Sequence, residues 1–210
     1  MTFSIAIRTV PERAQLFGSL MARLEQEETV AVSASLREDV TPNENGCLAL
    51  EMAECQDTDW VIFLEDDAGL IDDFMGSVER WIEDHATDDI HVYPLGAQYK
   101  FPEGATAWVY PLDHYYCSVA FVIRRSMIPS LVEYFRARPA VNQGFDLMIA
   151  EWHRTVSPSN HLLTPVPCFV EHLGDESTLI DGRSERNVVG RFFEFRGYDF
   201  TYQRTNWLRI

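Results

Sequence analysis

The sequence predicts an α/β fold with a mixed, mostly parallel central sheet flanked by helices. Three observations carry that prediction. In the first half, short apolar β-like runs alternate with stretches of helical period, the βαβα order that builds a parallel sheet with crossover helices. In the second half further apolar runs extend the same sheet in mixed sense. Each of the first three runs ends in polar or turn-forming residues, where an open α/β sheet gathers its ligands.

The first predicted strand is Ser4–Val10, "SIAIRTV". Pro11–Glu25 follows as a helix, with Leu16, Leu20, Met21 and Leu24 at helical spacing. Thr29–Ser35 is the second strand, and the turn formers of "REDVTPNENG" end it. Cys47–Cys55 reads as a helix, "WVIFLE" from Trp60 as the third strand, and Ile71–His85 as another helix. "IHVYPLG" and "SVAFVIRR" are later strands. Met127–Arg136 and Gln143–His153 read as helices, and Cys168–Glu171 as a last β-like run.

The chain of 210 residues fits one large domain, and a hydrophobic fraction of 46% supplies a real core. We expect residues 1–182 to form that domain and 183–210 to pack on it. No apolar run reaches the roughly 18 residues of a membrane span. The N-terminus lacks the basic leader and apolar core of a signal peptide. Cys47, Cys55, Cys117 and Cys168 show no CxxC spacing. They suit a reducing, cytoplasmic setting (host cytoplasm for a viral protein) and give no support to structural zinc.

The formal charge is −16. From Arg183 to Ile210, six arginines face Glu185, Glu194 and Asp199, a net of +3, so the first 182 residues carry −19. Such a body disfavours general binding to nucleic acid or anionic membrane. The C-terminal segment interleaves arginine with Phe, Tyr and Trp. It reads either as aromatic packing that neutralises the acidic body or as a surface for phosphate or a stacked base.

Glu65, Asp66 and Asp67 end the third strand. Alternation in an extended segment sends Glu65 and Asp67 to one side and Asp66 to the other, where it serves structure. Two converging carboxylates suit a hard divalent cation, Mn²⁺ or Mg²⁺, which completes its shell with water and a substrate phosphate. The plainer reading is a solvated turn before the next helix, with Asp72 and Asp73 favouring its N-terminal dipole. In "PVPCFVEHLGDEST", His172 follows a β-like run and precedes Gly174 and Ser177. That order makes His172 a candidate third ligand, Gly174 a point of close approach and Ser177 a hydrogen-bond donor.

Together these stretches resemble the GT-A-type glycosyltransferases, which transfer a sugar from a nucleotide-diphosphate donor under Mn²⁺ or Mg²⁺. "VIFLEDD" is similar to their D-x-D motif, with Glu65 in the first acidic place. "VEHLGDEST" resembles their C-terminal His, and "NENGCLALEMAECQDTDW" the stretch before the acidic motif. The likeness runs from about Ser4 to Leu179. It implies a GT-A-like (Rossmann-like) fold and a metal held by Asp67 and His172. Glu65 would reach the donor ribose or, through water, the metal; a Glu there departs from the commoner Asp.

The resemblance also places Thr9, Pro11, Arg13, Asp66, Gly174 and Ser177 around the donor, most simply a UDP-sugar. Transfer with inversion needs a carboxylate base opposite the leaving diphosphate, and Asp146 occupies the matching region, with Glu151 in reserve. Asp113, His114 and Tyr116 are expected to line the acceptor pocket, Tyr115 and Tyr116 offering rings to stack. The acceptor is left open between a saccharide, a protein or lipid precursor, and a modified base such as a hydroxymethylpyrimidine in viral DNA. Two readings compete: a metal-dependent nucleotidyltransferase or phosphohydrolase, and a non-enzymatic acidic metal-binding module. The first lacks a lysine-bearing phosphate loop, and the second leaves the strand–acid–His order unexplained.

Overall fold

The structure, a computed structural model, describes residues 1–27, 30–37, 39–97, 105–115, 118–138 and 144–173. In chain order these form β1 (Phe3–Thr9), a 3₁₀ turn (Pro11–Arg13) leading into α1 (Ala14–Leu24), β2 (Ala31–Leu36), α2 (Pro42–Glu54), β3 (Trp60–Glu65), β4 (Ala68–Leu70) and α3 (Phe74–His85). There follow β5 (Val92–Pro94), β6 (Ala107–Pro111), β7 (Ala120–Arg124), α4 (Ile128–Arg136), α5 (Phe145–Val156), β8 (His161–Pro165) and β9 (Val170–His172). Residues 183–210, with the packing expected of them, lie outside the described residues.

The central sheet has the order β2-β1-β3-β7-β5. β1 pairs parallel with β2 and β3, while β7 runs antiparallel to both β3 and β5. Four of its strands therefore share one direction and β7 opposes them, the mixed, mostly parallel sheet that the sequence predicts. Five of the six β3 residues are buried, as expected for a strand with neighbours on both edges and cover on its faces. Phe145 of α5 stacks on Phe63 of β3 with ring centroids 5.2 Å apart. α2 packs beside it on β1 and β2 and against α4.

Two small ladders stand outside the sheet, β4 with β9 and β6 with β8, both antiparallel. Neither pairing is visible in the sequence pattern. Three-residue strands such as β4 and β9 are too short to display alternation.

Several boundaries differ from the sequence expectation for identifiable reasons. α2 begins at Pro42, before the expected Cys47, because Thr41 caps it. Its hydroxyl accepts the Glu44 N–H at 3.2 Å and proline fills the first turn, a start signal worth about 1 kcal/mol. α3 begins at Phe74 and not at Ile71, since the chain is still pairing as β4 up to Leu70. Asp72 and Asp73 are therefore not first-turn acids. Asp73 sits at the cap with φ 50° and gives its carboxylate to Arg80 at 2.7 Å. Among the described residues no helix is long and apolar enough to cross a membrane.

Candidate active site

Glu65 closes β3, and the parallel register sets Arg8 of β1 directly beside it. Arg8 Nη2 lies 2.6 Å from Glu65 Oε1. The Ser118 hydroxyl, just before β7, donates to the same oxygen at 2.9 Å. The backbone then turns through Asp66 and Asp67 into β4. This turn, rather than strand alternation, separates the roles of the two aspartates.

Asp66 points toward the end of β1. Its Oδ2 accepts the buried Thr9 hydroxyl at 2.8 Å and its Oδ1 accepts from Arg13 Nη1 at 2.9 Å. Burial raises its pKa and outweighs the lowering by these two donors. Thr9 is in turn held by Asn45 of α2, whose Nδ2 donates to the Thr9 carbonyl at 2.8 Å. Pro11 opens the short 3₁₀ turn that carries Arg13 into place.

Asp67 shares Arg13 with Asp66 but leads into the β4–β9 ladder. Ala68 stands opposite His172, and the Leu173 N–H donates to the Asp67 carbonyl at 2.8 Å. This pairing delivers His172 Nε2 to within 2.9 Å of Asp67 Oδ2, an oxygen that also accepts from Arg13 Nη1 at 2.7 Å. Burial opposes the Asp67 charge, yet His172 and Arg13 together hold its pKa below the usual carboxylate range. Burial likewise opposes charge on His172, and Asp67 more than compensates, raising the imidazole.

Ligand atoms of Glu65, Asp67 and His172 all lie within 4.8 Å of one another, a set formed by two carboxylates and one imidazole. Asp67 Oδ1 and His172 Nδ1 are buried without a hydrogen-bond partner among the described residues. A buried carboxylate oxygen with no donor is costly, and a divalent cation is the kind of partner that removes the cost. The donor set suits Mn²⁺ or Mg²⁺ by its oxygens, with the imidazole favouring the former.

Asp146 occupies the first turn of α5, as the sequence reading expects, and its Oδ1 accepts the Leu147 N–H at 2.8 Å. Burial raises its pKa to about 6. The Leu147 hydrogen bond works against that rise, while the charges of Glu65 and Arg8 act on it in opposite directions. Those couplings put Asp146 in electrostatic reach of the strand tips. Glu151 instead accepts from the Tyr134 hydroxyl at 3.3 Å, farther along α5.

Asp113 is ion-paired with Arg154 near the end of α5. Arg154 stands about 12 Å from Asp146 along the helix axis at 1.5 Å per residue. Tyr116, Gly174, Ser177 and the side chain of His114 lie outside the described residues.

Sequence reading missed Arg8, Ser118 and Asn45. A signal for Arg8 existed: it is the one charge inside the first apolar strand.

No protein-family model matches the chain, and no curated protein matches it. Its fold is shared with proteins of known structure. A197 from STIV superposes with a TM-score of 0.50 at 15% identity, over 83% of this chain and 87% of that one. A glycosyltransferase involved in the glycosylation of the major capsid of PBCV-1 superposes with a TM-score of 0.51 at 10% identity, over 75% of this chain and 78% of that one. These superpositions bear out the GT-A-like sheet expected from the sequence. At such identities the likeness concerns fold, and function is argued from the site.

Proposed function

We propose that this protein is a metal-dependent glycosyltransferase that moves a sugar from a nucleotide-diphosphate donor to an acceptor hydroxyl. One observation carries the reading: two strand-tip carboxylates and an imidazole, brought together by the β4–β9 ladder, with a buried Asp67 oxygen left without a donor. The likeness to the PBCV-1 glycosyltransferase supports it.

Glu65, Asp67 and His172 would hold Mn²⁺ or Mg²⁺. When bound, such a cation neutralises the charge of a leaving diphosphate. The rest falls to the chain itself. Thr9 and Pro11 shape the loop after β1 that meets the nucleotide, and Arg13 presents a guanidinium suited to phosphate oxygens. Asp66 anchors that loop through Thr9 and Arg13. Asp146, with its pKa near 6, is deprotonated at neutral pH and basic enough to take the acceptor hydroxyl's proton. Attack from that side, opposite the leaving group, inverts the anomeric centre.

We further propose a UDP-sugar as donor, with Gly174 and Ser177 close to its diphosphate. The acceptor is a saccharide or a hydroxymethylated base. Two-metal phosphoryl chemistry calls for more converging carboxylates than the single Glu65–Asp67–His172 group found among the described residues.

The test is a thermal-shift screen of the full chain with Mn²⁺ and nucleoside diphosphates, followed by mass spectrometry of UDP-sugar turnover. Metal-dependent stabilisation by one nucleotide, lost in Asp67→Asn, is expected. If no nucleotide stabilises the protein in the presence of metal, the reading fails.

A further inference from the structure

Arg8 belongs to none of the roles assigned so far, yet from β1 it touches β3, α2 and α5. It stands in β1 opposite Glu65, its side chain only 10% exposed. One arm reaches Glu65 Oε1 at 2.6 Å, and Nη1 donates to the Pro42 carbonyl at the start of α2 at 3.3 Å. Its guanidinium carbon lies 5.2 Å from the ring centroid of Phe145 and 5.8 Å from that of Phe63. Phe145 is the residue immediately before Asp146 on α5.

From this arrangement we infer that Arg8 is a positioning residue for Glu65, and that Ser118 shares the task. The inference rests on the proposed cation site. The Arg8 ion pair and the Ser118 hydrogen bond converge on Oε1, and no described residue donates to Oε2. A carboxylate gripped by one oxygen is restrained in its rotation and keeps the other oxygen without a competing donor. Arg8 is itself held, by its place over two buried rings and by the Pro42 carbonyl. A free glutamate side chain would have to give up its rotamer freedom on binding a cation. In this site the ordering is done in advance, by one ion pair and one hydrogen bond, and such outer partners commonly govern metal affinity by 10- to 100-fold.

A merely electrostatic role predicts the opposite sign. An arginine beside a cation site repels the cation, so removing a charge that does nothing else tightens binding. Removing a positioning group loosens it. Ser118 provides a charge-free control, since its loss leaves the net charge untouched.

The experiment titrates Mn²⁺ alone into the full-length protein, reading free Mn²⁺ by electron paramagnetic resonance. Wild type, Asp67→Asn, Arg8→Met and Ser118→Ala are compared, with thermal unfolding recorded for each. Wild type is expected to bind one Mn²⁺ that Asp67→Asn abolishes. Arg8→Met is expected to weaken it about tenfold, charge relief offsetting part of the loss, and Ser118→Ala to weaken it by a smaller factor. Unchanged or tighter binding in folded Arg8→Met overturns the inference while leaving the cation site standing. If Arg8→Met does not fold, Ser118→Ala decides alone, and unchanged affinity there overturns it. Wild type that binds no Mn²⁺ overturns the proposed function and this inference with it.

Discussion

His172 Nε2 lies 2.9 Å from Asp67 Oδ2, although more than 100 residues separate the two in the chain. The β4–β9 ladder makes the meeting possible, and Arg13 holds the same oxygen from the other side. If the pair is a cation site, His172→Ala should weaken Mn²⁺ binding by at least tenfold. The fold should survive, because Arg13 still neutralises Asp67. Calorimetric titration with Mn²⁺ and a melting curve check both halves. Equal Mn²⁺ affinity in the variant would leave His172 a structural partner only.

Asp146 carries the second prediction. As a base it must be deprotonated, and its folded pKa is about 6. Turnover should therefore rise with pH through about 6 and level off above 7. Asp146→Asn should lower transfer by about 10²- to 10⁴-fold, the usual reach of a positioned base, while Mn²⁺ and UDP still bind. A pH profile of kcat/KM for UDP-sugar turnover, with binding measured separately, tests this. If Asp146→Asn retains more than a tenth of the activity, the base lies elsewhere.

How much of this was legible in the sequence depended on how local the signal was. Glu65, Asp67 and His172 announced themselves by residue type at the ends of apolar runs. The helix-start position of Asp146, after Gly144, was legible as well. The β4–β9 ladder was hidden, since pairing between three-residue strands is fixed by tertiary register. Arg8 and Ser118 were hidden for the same reason. Their meaning comes from the parallel β1–β3 register and the Glu65–Val119 backbone bond at 2.8 Å, which place them on either side of Glu65. The early start of α2 is written in Thr41-Pro42-Asn43-Glu44, a cap signal that hydrophobic period does not carry.

Gly46 supplies a prediction about packing beneath the site. A Cβ added there would stand 2.7 Å from Phe145 Cε2. The Phe145 ring is buried and has little room to retreat, with Phe63 at 5.2 Å, Phe135 at 4.7 Å and Phe121 at 6.3 Å. Gly46→Ala should destabilise the protein by about 1–3 kcal/mol, the typical cost of overpacking. It should also disturb α5 where Asp146 is mounted. Urea unfolding gives the first effect and UDP-sugar turnover the second. A stability change under 0.5 kcal/mol would mean that α2 and α5 slide apart freely.

The last prediction concerns His153, fully buried on α5 and remote from the strand tips. Burial lowers its pKa to about 4, aided by the nearby His91 and His161, while a backbone hydrogen bond involving Ser159 opposes the shift. His91 and His153 have ring centroids 6.0 Å apart, and the Nδ1 of each is buried without a partner among the described residues. The unfolded chain, with an ordinary histidine pKa near 6.5, binds a proton that the folded chain refuses. Stability is therefore complete above about pH 6.5 and falls as the pH drops toward 4. The loss from this group alone reaches about 3 kcal/mol at the lower end. Replacing the imidazole by an uncharged ring, His153→Phe, should flatten the stability difference between pH 7 and pH 5 relative to wild type, whatever its effect at pH 7. Urea unfolding at the two pH values makes the comparison. An unchanged pH dependence in the variant would show that His153 takes up no proton on unfolding.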